Sequence, residues 1–177
     1  MSNDTIVWLM FFAPWLTLFF MKTKEVKHWL PVAFLATILA TIIHDIGTAL
    51  GFWAVTYSVY PFNQLSPYFF GTMPVLTIWV FKLTYGRFGR YMLVNGLLDI
   101  GFNFIILGYF LPLRGIMTLN IPPLYSLPIT LIHAAAIYAY QKWQEEAPGT
   151  EAAYTLRPAA AKPLDEDGHT GDRPEKQ

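Results

Sequence analysis

Between Trp29 and Trp53 the chain reads WLPVAFLATILATIIHDIGTALGFW, an apolar run bracketed by indoles and long enough to cross a bilayer as a helix. From Leu30 to Trp53 it would extend about 35 Å at the α-helical rise, enough to span with some tilt. The surrounding chain cannot bury such a segment in a soluble core: it is itself greasy, with 54% hydrophobic and 14% charged residues and a mean hydropathy of +0.37. The anomaly is the neighbouring pair His44 and Asp45. Ionisable groups are expensive in hydrocarbon and by default have a partner or a task there.

Along the same stretch Ala33, Thr37, Ala40, Thr41, His44, Thr48 and Gly51 recur at spacings of three and four. They therefore share one helical face, which is expected to meet other helices. Gly47 and Gly51 add a GxxxG spacing, so Thr37, Thr41, Gly47 and Gly51 are the expected packing residues.

Four further apolar runs are expected to span: 5–21, 66–83, 91–111 and 124–140. For the first, a signal peptide would need a basic start and a small-residue cleavage site. Here the start is acidic and the run leads into KTKEVK, so a retained helix is expected, with Pro14 causing at most a kink. Beyond Trp143 the composition turns to Pro, Ala, Gly, Asp and Glu. Such a segment cannot offset its ordering entropy by burial, and 147–177 is expected to be a disordered tail. The fold class that follows is all-α: a polytopic integral membrane protein of five transmembrane helices.

Charge sets the expected orientation. Lys22, Lys24 and Lys27 follow the first run, Lys82, Arg87 and Arg90 follow the third, and Lys142 follows the fifth, whereas the opposite ends carry only Arg114. By the positive-inside bias the N-terminus lies outside and the tail in the cytoplasm. No basic cluster of the kind that neutralises phosphates is present, which argues against nucleic acid as a partner. With no cysteine there is no disulfide framework, thiolate metal site or cysteine nucleophile.

A second polar feature lies in the fourth run, where Asn95, Asp99 and Asn103 follow one another at intervals of four; His133 lies near the middle of the fifth. Measured from each span's midpoint, Asp45 falls roughly 5 Å to the outer side, Asp99 about 3 Å and His133 about 2 Å to the inner side. A single layer of His44, Asp45, Asn95, Asp99, Asn103 and His133 is therefore expected if these faces turn inward. Two carboxylates and two imidazoles could form a proton relay, a cation site or a metal site. They could equally be interhelical glue, each hydrogen bond contributing about 0.6 and up to about 2 kcal/mol. No HExxH or paired acidic motif is present, so no metal and no cofactor is assigned; two histidines at similar depth are too unspecific to assign haem.

The segments LPVAFLATILATIIHDIG, VLTIWVFKLTYGRFGRY and IYAYQKW resemble an uncharacterised family of small multi-spanning membrane proteins of Gram-positive spore-forming bacteria, over Trp29 to Trp143. The resemblance implies a multi-pass location in the cytoplasmic membrane and transfers no catalytic residue. Three roles stay open. The first is a structural or assembly partner in the bilayer, bound to another membrane protein or to itself. The second is an ion-, proton- or solute-handling protein using Asp45, Asp99 and His133, and the third is an intramembrane enzyme. The orientation is directly testable because the chain has no cysteine of its own. A single cysteine at Tyr57 should react with an impermeant maleimide in intact cells, and one at Gly89 only after lysis; the reverse pattern would overturn the orientation.

Overall fold

The computed structural model describes residues 1–62 and 67–146; the expected tail lies outside the described residues. Five long helices are found among those residues. Helix α1, Asn3–Phe20, is capped by the Ser2 hydroxyl, which accepts from the Thr5 amide at 3.2 Å, and it closes on a 3₁₀ turn over Leu18–Phe20. Helix α2 is Thr23–Ala49, and α3, Tyr68–Thr84, opens on a π-helical turn over Tyr68–Thr72. Helix α4, Phe88–Leu113, is π-helical over Phe102–Phe110, and α5 is Pro123–Glu146.

Three of these helices, α1, α2 and α4, are long and apolar enough to cross a membrane. Helix α3 is apolar but shorter, and α5 has the length while carrying Pro128, His133 and the tyrosines Tyr125, Tyr138 and Tyr140, which lower its hydropathy.

Element boundaries depart from the sequence expectation where the chain turns. Helix α2 stops at Ala49 and does not run on to Trp53, because Gly51 adopts a left-handed conformation (φ 73°) that terminates it. At the other end Lys24 and Lys27 belong to the first turns of α2, so the basic connection is shorter than a loop from Lys22 to Lys27. Two short strands lie between the helices: β1 (Trp53–Val55), which begins on the last residue of the expected second span, pairs antiparallel with β2 (Met117–Leu119), with Trp53 opposite Leu119. The Asn120 side chain extends the tie by donating to the Gly51 carbonyl at 3.0 Å.

Packing follows a division of α2 into two faces. Val32, Ala33, Ala36, Thr37, His44 and Gly47 are buried, whereas Phe34, Ile38, Ile42 and Ile46, one every four residues, are about half exposed (50, 57, 49 and 55%). Small side chains inward and large apolar ones outward is the reverse of a soluble helix and suits a hydrocarbon surround. Against the small face lies α3, which buries Ile78, Val80 and Phe81 among others. The hydroxyls of Thr37 and Thr41 bond back to the Ala33 and Thr37 carbonyls at 3.0 and 2.8 Å, so neither brings an unpaired polar group into the contact.

Helix α1 meets α3 just as closely at Gly71, where a Cβ would collide with the Met10 carbonyl and the Phe11 Cα. Thr72 donates to that same Met10 carbonyl at 2.8 Å, and two indoles bridge the pair: Trp15 to the Phe70 carbonyl at 3.2 Å and Trp79 to the Thr17 hydroxyl at 3.0 Å.

Successive helices alternate in direction, so the bundle has a ribbon end and a basic end. At the ribbon end Asn3 donates to the Arg114 carbonyl at 2.9 Å, and Tyr57 donates to the Asp4 carboxylate, which holds the phenol above its ordinary pKa. At the basic end Lys82 pairs with Glu25 at 2.8 Å, joining the first turn of α2 to the last turn of α3. Replacing Gly71 with leucine should destabilise the bundle by about 1–3 kcal/mol, since backbone and not a movable side chain occupies the space. Gly89→Leu, at a site with nothing near the new Cβ, should change it by less than about 0.5 kcal/mol. Thermal unfolding in detergent checks both, and equal melting for the two variants would contradict the close α1–α3 approach.

Candidate functional site

The stripe Asn95, Asp99 and Asn103 comes off α4 at four-residue steps, and all three side chains line one cavity inside the bundle. A four-residue step drifts by about 40° on a helix of 3.6 residues per turn, so three such residues still share one broad face. The two amides spend their donors locally, Asn95 on the Tyr91 carbonyl at 2.9 Å and Asn103 on the Asp99 carbonyl at 2.8 Å.

Several polar groups tie α5 to its neighbours. The buried Ser126 hydroxyl donates to the Asn103 side-chain oxygen on α4. His133, also buried, places Nε2 at 3.1 Å from the Ala36 carbonyl on α2, and the Tyr91 hydroxyl donates to the Ala134 carbonyl at 3.0 Å. Tyr138 completes the attachment by packing its ring on Phe81, Tyr85, Phe88 and Tyr91. These contacts are made by side chains at reach, so α5 stands off from the bundle and space remains behind it.

That space is a cavity of about 600 Å³, walled by α2, α3, α4 and α5, with Met10 of α1 touching it. Its walls are mostly apolar, with Met73, Leu76, Phe102, Ile106 and Ile129 among them. Asp99 is the acid in the lining, and among the described residues no Lys or Arg lines it. The hydrogen-bonding neighbour of its carboxyl is Thr130 of α5, whose hydroxyl also faces the Leu127 carbonyl at 3.0 Å and so has a competing acceptor. Tyr68 and Tyr91 lie near enough to interact electrostatically with the same carboxyl. Asp99 is thus a half-buried acid whose neighbours are hydroxyls and rings, with no basic side chain to neutralise it.

Of the six residues expected to form a layer, five line this cavity: His44, Asn95, Asp99, Asn103 and His133. Asp45 does not. It is exposed on α2 between Ile42 and Ile46, because adjacent residues leave a helix about 100° apart and His44 takes the inward direction. His44 is buried against aromatic rings, stacked with Trp53 at 6.0 Å between centroids and tilted over Phe69 at 4.9 Å. The expected glycine pair is also reassigned. Gly51 is in the turn beyond α2, and Gly47 receives the Trp53 indole, which folds back and donates to the His44 carbonyl at 3.2 Å. The close helix approach belongs to Gly71.

Sequence reasoning passed over Ser126, Thr130, Tyr68 and Thr77, all in the lining. A signal for two of them was present, since Ser126, Thr130 and His133 follow the i, i+4, i+7 rule of one helical face.

Chemically, one carboxyl among hydroxyls and amides can exchange a proton or pair with a cation. Among the described residues no three His, Asp or Glu side chains gather as metal ligands. Comparison with protein-family models, with curated proteins and with solved structures found no match. The division between tying and unspent groups is measurable. Ser126→Ala and His133→Phe should each lower bundle stability by about 0.6 to 2 kcal/mol, whereas Asp99→Asn, which keeps an acceptor for Thr130, should lower it by less. Reversible unfolding in mixed micelles would show this, and an Asp99→Asn loss as large as the others would make Asp99 a tying group too.

Proposed function

We propose that this chain is a five-span protein of a bacterial cytoplasmic membrane, amino terminus outside and carboxy-terminal tail inside, that binds a small molecule in the cavity behind α5. The five-span arrangement is supported by the alternation of helix directions and by the gathering of Lys22, Lys24, Lys27, Lys82, Arg87 and Arg90 at one end. The family resemblance over Trp29 to Trp143 supports the same location.

The observation that carries the binding function is the cavity itself. About 600 Å³ lies within the usual range for small-molecule sites, and its apolar walls with a few convergent polar groups have the usual composition of such sites. An assembly role draws less support: the bonds of His133, Tyr91 and Ser126 join helices of this one chain, and the exposed stripe on α2 is what lipid tails would cover.

Gly101 provides the test. It is among the residues lining the cavity, and a Cβ built there meets nothing within 4 Å, so a large side chain fits at this point of the wall without displacing the backbone. Native mass spectrometry of protein released from its own membrane should show a bound mass on the wild type that Gly101→Trp lacks, at equal helicity. Identical spectra for the two proteins would overturn the binding function.

A further inference from the structure

We infer that the molecule held in this cavity is an organic cation with an apolar body, paired with Asp99 and admitted sideways past Gly101 of α4. The inference rests on the binding function just proposed and adds to it the class of ligand and its route.

Charge comes first. Asp99 sits in a mostly apolar cavity whose lining has no Lys or Arg among the described residues. Of the two imidazoles, His133 is directed at the Ala36 carbonyl and His44 is stacked between Trp53 and Phe69. Taking an acid out of water without a counter-charge is costly, and the described residues supply no Lys or Arg here. A positively charged ligand supplies it.

Size and surface then exclude a bare ion as the natural occupant. A cavity of about 600 Å³ is far larger than a desolvated metal ion, and among the described residues no three His, Asp or Glu side chains gather there to ligate one. Its apolar walls do suit the body of a hydrophobic ammonium or phosphonium. Aromatic faces stand beside the acid: Tyr68 and Phe102 are stacked at 5.0 Å between centroids, both rings line the cavity, and Tyr68 is within electrostatic reach of Asp99. Rings and a carboxylate together are the usual way to hold an organic cation.

The route is written in the α4 wall. Leu97, Gly101 and Ile105 follow at four-residue steps and line the cavity, yet Leu97 and Ile105 are each 62% exposed on the outer surface. A wall whose residues show one side to the cavity and the other to the surround is thin there, and at its midpoint stands a residue without a side chain. The glycines on either side of it along α4 are covered: a Cβ at Gly96 would lie 3.8 Å from a Leu131 methyl, and one at Gly108 would lie 3.0 Å from the Asn103 carbonyl. Gly101 is the gap between them. Entry from the bilayer fits a ligand that is itself membrane-soluble.

Tetraphenylphosphonium and tetraphenylborate, nearly equal in size and opposite in charge, make the test. Full-length protein in phosphatidylcholine nanodiscs, corrected for empty discs, should bind the phosphonium and not the borate. Asp99→Asn should weaken phosphonium binding by about tenfold or more. Asp45→Asn, which removes an acid outside the cavity, should leave binding unchanged, and Gly101→Trp should abolish it. Equal binding of both probes, or an Asp99→Asn affinity equal to wild type, would overturn the cationic ligand. If Gly101→Trp still released the probes in that event, the cavity would remain a binding site of another specificity. If it released neither, the binding function would fall with the inference.

Discussion

The contact between the small face of α2 and α3 is what the rest of the bundle depends on. In the bilayer proposed for this chain, lipid tails are as apolar as leucine, so bringing two helices together there gives no hydrophobic gain; close packing and satisfied polar groups have to supply the attraction. Ala33 and Ala36 are fully buried in that contact, as are Ile78 and Phe81 opposite them, and the threonines on the same face turn their hydroxyls back onto their own helix. Helix α1 then closes on α3 at Gly71, and α5 is hung from α2 and α4 by His133, Tyr91 and Ser126. The close contacts of α3 with α1 and α2, against the looser attachment of α5, are what leave the cavity behind α5.

Within that frame most polar residues of the cavity wall are joined to a named atom of the fold, and Asp99 differs from them in being an acid without a Lys or Arg beside it among the described residues. Asn103, His133 and Tyr91 are each answered by a specific atom of another helix or their own. Asp99 is answered by a hydroxyl that has another acceptor of its own. An acid left in that condition beside stacked aromatic rings is a local cost to the protein, and such costs concentrate where a ligand is bound.

Much of this was legible in the chain beforehand. The inward face of α2 follows from its three- and four-residue periodicity, and the Asn95, Asp99, Asn103 stripe follows from the same rule. What periodicity does not carry is how far a face reaches: it put His44 on the contact face, but Asp45, expected in the same polar layer, is turned outward by the packing. The glycine spacing misled because Gly51 uses its conformational freedom to end a helix, a role that i, i+4 counting does not distinguish from packing. The strands were invisible because three residues each are too few for an alternating pattern.

The short ribbon has a consequence for how the chain is assembled. Its hydrogen bonds join Ala54 to Thr118, 64 positions apart, so β1 has to remain solvated until α3 and α4 have been made and β2 has followed them. A backbone segment with that history cannot wait in hydrocarbon, where unsatisfied amides find no water. Its place at the end of the bundle is therefore a requirement of synthesis order as much as of architecture, and its closure fastens the first half of the chain to the second.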